Sequence, residues 1–373
     1  MTVEKVLVIG GGVTGSVAAI ALAQKGVQVT LIERSPEWFG VGHGITVHGN
    51  ALRAFAQIGV ADQVIAAGIP FNEIVVCNAA GDVQARIPTP RTGGAELPAT
   101  LGTLRSSLQE ILVTTIRDLG VEVRLGTTAS DFIEQGESVD VLFSDGQTET
   151  FDLVIAADGI RSQTRELLGI TARPAQSGMG IWRFVTSRTP EMSSAAVFYG
   201  GPWYKAGYAP INETECYAYI LTDPASPAAE GRTNAEIVRE LAAGYHGAWD
   251  HLRESITEET YMNFQPIEWL YADEPWHRGR VIAIGDAVHA CPPLIAQGAA
   301  MCAEDAVLLA DYVTRDGNLD DLLVQFEERR KPRVKVVVDA SLTMVDWELH
   351  PDTPGANAPA LMESSLAELT VAA

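Results

Sequence analysis

Residues 4 to 34 set the pattern for the rest of the chain. Glu4 to Ile9 forms a short, largely apolar run, and Gly10 to Gly15 is a glycine turn. Ser16 to Gln24 has the small-residue pattern of a helix. A second apolar run, Val27 to Ile32, ends at Glu33-Arg34. Strand, glycine turn, helix, strand and acid make one βαβ unit.

Asn50 can cap a helix over Ala51 to Ile58, following a loop over Ser35 to Gly44 and the stretch Gly42 to Asn50 that holds His43 and His48. Ile74 to Cys77 and Val83 to Ile87 flank Gly81-Asp82 and predict a hairpin. After a Pro- and Gly-rich crossing, a helix begins around Thr103 to Leu108, with Leu108, Ile111, Leu112, Thr115, Ile116 and Leu119 at helical spacing. Val121 to Leu125 is a strand, and Asp145-Gly146 turns a second hairpin. The apolar run Leu153 to Ala157 breaks at Asp158-Gly159, with Arg161, Ser162 and Arg165 beyond it. Basic side chains at a strand's carboxyl end suit a phosphate.

Between residues 174 and 272 the pattern becomes alternating and aromatic. Ile181 to Val185, Ala195 to Tyr199, Tyr204 to Pro210 and Glu215 to Leu221 predict one antiparallel sheet, with helices over Asn234 to Leu241 and Ala248 to Ser255. Tyr217 and Tyr219 share a face by the period of two, and so do Tyr204 and Tyr208. Arg280 to Ile284 returns to a buried strand, followed by Gly285-Asp286-Ala287, Pro292-Pro293 and a helix headed by Gly298. The helix from Asp320 is basic from Arg329 to Arg333, which suits a helix C-terminus. Residues 350–373 read as a poorly ordered terminal tail.

A chain of 373 residues has room for two or three domains. Its hydrophobic share of 47% and charged share of 20% fit a globular protein. The net charge of −22 argues against nucleic acid and anionic membrane surfaces as partners. Cys77, Cys216, Cys291 and Cys302 are scattered, with no paired spacing and no His cluster, so no metal site is expected. Scattered cysteines, no leader pattern and no membrane-length apolar run together predict a cytoplasmic protein.

The glycines carry the first chemistry. Gly10 turns the chain off the strand, Gly12 lets the backbone approach a pyrophosphate, and Gly15 lets helix and sheet pack closely. Val13 and Thr14 open the helix, whose free N–H groups favour an anion. Glu33 can accept hydrogen bonds from a ribose diol. The turn predicts a dinucleotide and leaves NAD and FAD both open. A dehydrogenase fits this turn but leaves the Asp158 and Gly285 stretches without a role.

Three stretches in this order, Gly10 to Gly15 with Glu33, Asp158-Gly159 with Ser162 and Arg165, and Gly285 to Ala306 with Pro293 and Gly298, resemble the single-component FAD-dependent aromatic hydroxylases. These are the group related to 4-hydroxybenzoate, salicylate and 6-hydroxynicotinate monooxygenases. The resemblance runs from Val6 to about Arg333. It implies an α/β fold: a Rossmann-like FAD-binding domain (1–71, 100–172, 273–345) interleaved with an antiparallel-sheet substrate domain (72–99, 173–272). C-terminal helices and an extension (346–373) follow. It implies bound FAD, transient NAD(P)H, O2, and a flavin C4a-hydroperoxide that hydroxylates a small aromatic or N-heteroaromatic substrate. A homodimer is compatible with it. Oxidation of a non-aromatic natural product, or a flavin-binding sensor without turnover, are the alternatives.

By position, the resemblance places Gly10, Gly12, Val13, Thr14, Gly15, Glu33, Arg34, Ile45, Arg105, Ala129, Asp158, Gly159, Asp286, Gly298 and Ala299 at the cofactor. Pro293 would lie over the flavin ring beside the substrate. Tyr208 and His48 are the candidates for proton handling, and Tyr204, Arg183 and His43 for substrate contact.

Overall fold

The computed structural model describes residues 3–38, 42–225 and 231–373. Residues 39–41 of the expected loop lie outside that description. The first strand, Lys5–Ile9, is central in a six-stranded sheet, with Gln28–Glu33 and Leu153–Ala156 as parallel neighbours. Glu122–Leu125 and Val281–Ala283 extend it in parallel, and His277–Arg278 closes one edge antiparallel. Helices and a smaller sheet bury both faces of these strands, which is why they read as continuous apolar runs.

The second sheet has seven strands, in the order Met262–Trp269, Ala175–Ser187, Glu215–Thr222, Lys205–Pro210, Ala195–Tyr199, Glu73–Asn78 and Val83–Pro88. It is mixed rather than purely antiparallel, because Ala195–Tyr199 and Glu73–Asn78 run parallel. Glu73–Asn78 belongs to a hairpin formed far earlier in the chain, so no tight turn sets its direction against Ala195–Tyr199. One face of the sheet packs Trp182, Phe184, Phe198 and Tyr208 against the helices Asn234–Ala242 and Ala248–Ser255. The other face turns Ile74, Val197, Tyr217 and Tyr219 toward the first sheet's domain.

Several local expectations are corrected by tertiary pairing. Thr100–Leu104 is a strand between Gly44–His48 and Gly68–Phe71, so the following helix starts at Arg105 and not at Thr103. A third strand, Ala129–Glu134, joins the Asp145-Gly146 hairpin. His48, not Asn50, is the N-cap of the helix Gly49–Gln57. The Asn50 amide instead donates to Gln297 Oε1 at 3.0 Å and Glu304 Oε1 at 3.3 Å.

The basic helix continues to Leu349, so its arginines lie mid-helix. Arg330 donates to Asp305 Oδ1 at 2.7 Å and Glu304 Oε2 at 3.0 Å, and Arg333 donates to both Glu304 oxygens at 2.7 Å. These arginines answer buried carboxylates rather than a helix dipole. The C-terminal segment is no disordered tail. Its helix Ala358–Glu368 buries Leu366, and Leu369 just beyond is buried too, which supplies the apolar contact that docks it. No described helix is long and apolar enough to cross a membrane.

Removing one partner from a fully buried ion cluster leaves charges with neither water nor counter-ion. Arg330→Leu should therefore destabilise the protein by about 3–5 kcal/mol, read as a lowered thermal melting point. An unchanged melting point would show that the cluster is not structural.

Candidate active site

The glycine turn has the geometry its sequence predicts. Gly10 has φ +103°, and a Cβ there would stand 2.5 Å from the Ala157 carbonyl oxygen of the neighbouring strand. A Cβ on Gly15 would stand 1.9 Å from the Gly10 oxygen, so helix and strand approach as closely as backbone allows. A Cβ on Gly12 would meet nothing within 4 Å, because Gly12, Val13 and Thr14 border an open cleft. No side chain caps this helix, which leaves its first N–H groups for a ligand. Glu33 is held by N–H groups of Gly11 at 2.7 Å and Ser35 at 2.8 Å, with lone pairs to spare. Arg34 beside it is exposed.

The second and third motifs follow the strands Leu153–Ala156 and Val281–Ala283, which lie on one flank of the first strand. Gly159, Asp286, Pro293, Gly298 and Ala299 border the same cleft, as do Ile45 and Arg105. Asp158 accepts from the Thr164 N–H and hydroxyl through Oδ2, while its Oδ1 is buried without a partner. An orphaned carboxylate oxygen at a strand end fits a ligand that brings a donor. Ala129 is buried in the small-sheet core and stays off the cleft, while nearby Thr127 donates its N–H to the Glu33 carbonyl. The expectation of a phosphate on Arg161 and Arg165 is overturned. Arg161 pairs with Glu268 at 2.6 Å, and Arg165 is buried, donating to the carbonyls of Ile160 and Ala287.

The cleft, about 1350 Å³, continues from the glycine turn to the inner face of the seven-stranded sheet. Tyr217 and Tyr219 both line it, with ring centroids 5.8 Å apart, as the period of two requires. Tyr208 is different. It borders the cleft, but the pleat sends its ring to the opposite face, 6.1 Å from Phe198 in the helix-covered core. Burial, with Cys77 and Cys216 close by, pushes its hydroxyl far above the ordinary tyrosine range. Tyr208 is thus removed as a proton acceptor. Tyr204 does not share its face either. The strand starts at Lys205, and Tyr204 donates its hydroxyl to Asp223 at 2.7 Å, which with burial raises its pKa to about 12.

His48 is 3% exposed and borders the cleft, with Nδ1 unpartnered. Burial lowers it to about 4, and a hydrogen bond to the Ile295 backbone offsets only part of that. Its cross-strand partner in register is Thr100, whose hydroxyl is also buried and unpartnered. His43 and Arg183 lie elsewhere on the cleft, where His43 stacks on Tyr261 and Arg183 donates to Gln265 at 3.2 Å.

Several residues at the glycine turn and in the cleft wall escape sequence reading. Trp38 Nε1 and Gln109 Nε2 both donate to the Gly11 carbonyl, at 2.9 and 2.8 Å, and so brace the turn. Lys205 and Glu348 form a buried ion pair at 2.6 Å in the cleft wall. Trp347, Pro359 and Met362 bring the C-terminal segment to the same wall. Nothing in local pattern marks these positions, because each depends on a partner distant in sequence.

His48 gives a pH test. Its folded pKa lies below the unfolded value, so the unfolded chain binds the extra proton first as pH falls. Stability is complete above pH 6.5 and drops by on the order of 3 kcal/mol toward pH 4. Melting His48→Gln beside the parent at pH 7 and pH 5 should show a smaller loss in the variant. Equal losses would mean that His48 is not held neutral by burial.

A family model described as an FAD binding domain matches residues 4–341. A 2-heptyl-3-hydroxy-4(1H)-quinolone synthase of Mycobacteroides abscessus is 32% identical over 343 residues, 90% of this chain and 88% of its own. A 3-hydroxybenzoate 6-hydroxylase of Klebsiella oxytoca is 26% identical over 352 residues, 90% of this chain and 86% of its own. The crystal structure of Klebsiella pneumoniae HpxO complexed with FAD and uric acid superposes with a TM-score of 0.81 at 25% identity, covering 98% of this chain and 92% of that one. The glycine turn, the unpaired Asp158 oxygen and the aromatic cleft thus belong to a member of the FAD-binding, NAD(P)H-dependent flavoprotein monooxygenase family, in its single-component aromatic hydroxylase group.

Proposed function

We propose that this monooxygenase hydroxylates a neutral phenol or hydroxylated N-heteroaromatic ring, held beside His48 and Thr100. The observation that carries this reading is the pair of unpartnered buried polar atoms, His48 Nδ1 and Thr100 Oγ1, on adjacent strands of an otherwise apolar wall. Phe71, Ile74, Val76 and Ile87 line the cleft with them. Orphaned polar groups are costly unless a ligand supplies their hydrogen bonds. A ring hydroxyl or ring N–H can do so.

When bound, FAD supplies the redox chemistry that couples NAD(P)H oxidation to O2 activation. The N–H groups at Gly12, Val13 and Thr14 would hold its pyrophosphate, Glu33 a ribose and Asp286 the ribityl chain. Gly298 and Ala299, at the start of their helix, would face the pyrimidine edge of the ring, with Ile45, Arg105 and Gly159 also beside the cofactor. The neutral His48 imidazole accepts the ring hydroxyl's hydrogen bond and orients the ring, while the Thr100 hydroxyl fixes a second polar edge. The apolar wall excludes water from the reacting carbon. The rigid Pro292-Pro293 turn keeps Pro293 at the boundary between cofactor and substrate.

Charge narrows the substrate class. The segments carrying His48, Phe71, Ile74 and Thr100 place no Lys or Arg on the cleft, and Lys205 is already committed to Glu348. Among the described residues, Arg105 and Arg183 reach the cleft from other segments, so the wall that carries His48 and Thr100 supplies no counter-ion of its own to a carboxylate. This favours the uncharged ring of the quinolone-type relative over a benzoate.

Substrate-stimulated NAD(P)H oxidation and mass-spectrometric detection of an oxygenated product test this. Neutral phenols and hydroxyquinolines should stimulate oxidation and gain one oxygen, and 3-hydroxybenzoate should do so poorly. His48→Ala should lower product formed per NAD(P)H by at least about tenfold. Stimulation by benzoates alone, or unaltered coupling in His48→Ala, would refute the assignment.

A further inference from the structure

Family membership requires NAD(P)H, but the chain has one glycine turn, and FAD claims it. The nicotinamide dinucleotide must therefore dock elsewhere on the cleft. Three basic side chains line the cleft among the described residues: Arg105, Arg183 and Lys205. Lys205 is neutralised by Glu348, whereas Arg105 and Arg183 have no ion-pair partner among the described residues. In a chain of net charge −22, two unpaired guanidinium groups on one cleft make a local positive field.

Arg183 and Arg105 flank a flat aromatic surface. His43 stacks on Tyr261 with ring centroids 6.0 Å apart and planes 17° from parallel. Arg183 is in register with Asn263, and Tyr261 stands two residues before Asn263, just ahead of the strand Met262–Trp269. The His43 carbonyl accepts the Arg105 N–H at 3.0 Å, which fixes the loop to the start of the helix Arg105–Asp118. Tyr261 is 42% exposed, so the stack stands at the solvent side of the cleft. His43 Nδ1 and Asn263 Oδ1 are both buried without partners. Burial first, then the Arg183 and Arg105 guanidinium groups, hold His43 at about 4, so its ring is neutral at pH 7.

We propose that Arg183 and the His43–Tyr261 stack form the docking site for NAD(P)H, the guanidinium binding its diphosphate and the stacked rings receiving one of its bases. Diphosphate matches a guanidinium fork through charge-assisted bonds, and a planar base matches an exposed aromatic face. No second glycine turn is required, which suits a cosubstrate that must leave each cycle. The site reassigns His43 and Arg183 from the aromatic substrate to the reductant.

Anaerobic stopped-flow reduction of the FAD-loaded enzyme, followed by flavin absorbance, reads this directly. In Arg183→Gln the apparent Kd for NADH or NADPH should rise about tenfold, with the limiting reduction rate nearly unchanged. The wild-type Kd should rise steeply with salt, and the variant's slope should be shallower. Tyr261→Ala, at a position 42% exposed, should weaken the same Kd by about threefold to tenfold. FAD content, and turnover of dithionite-reduced enzyme with O2 and substrate, should match wild type in both variants. Unchanged Kd and salt slope in Arg183→Gln would overturn the proposal. So would a raised KM for the aromatic substrate with reductant binding intact. Tyr261→Ala with wild-type Kd would refute the stack.

Discussion

The cofactor end of the molecule depends on one buried carboxylate. Asp305 accepts the Gly285 N–H at 2.9 Å, His289 Nε2 at 2.5 Å and Arg330 Nε at 2.7 Å. Burial works against its charge, but His289 and Arg330 outweigh that and hold it at about 2. The bond to Gly285 fixes the turn that presents Asp286 to the cleft. The bond to Arg330 ties that turn to the long C-terminal helix. Glu304, one residue earlier, binds Arg330 and Arg333 and reaches Asn50 near the start of another helix. A dry, fully paired cluster of this kind tolerates no missing member, and so it sets the relative positions of helices that are remote in sequence.

On that frame the cleft gains a polarity along its length. Backbone N–H groups and glycines line the nucleotide end, where a charged phosphate chain needs donors without side-chain bulk. Toward the sheet, the wall around Phe71, Ile74, Val76 and Ile87 is apolar, with unpartnered polar atoms at His48 and Thr100, and two tyrosine rings from one strand line the cleft nearby. The guanidinium groups of Arg105 and Arg183, without an ion-pair partner among the described residues, add positive charge to the cleft. Each part follows from what its surroundings can solvate.

Much of the cofactor region was legible locally. Gly10, Gly12 and Gly15 have mechanical roles that show in spacing, and the strands beside them are buried runs. Tyr217 and Tyr219 share the cleft face because a strand's period is two. Tyr208 and Tyr204 show where the same rule misleads. Period fixes which residues share a face only inside a strand, and it does not say which face meets the cofactor. Tyr208 alternates away from Tyr217 and Tyr219, and Tyr204 lies outside the strand.

The sequence by itself determined the βαβ opening, the three cofactor stretches and the change to an aromatic sheet, because glycine geometry and side-chain periodicity are local properties. Only the tertiary structure decided that Arg330 and Arg333 serve buried carboxylates and that the last helix forms part of the cleft wall. Only it paired His48 with Thr100 and left Arg183 without a carboxylate among the described residues. Those outcomes depend on which groups water is excluded from, and solvent exclusion is a property of the packed molecule.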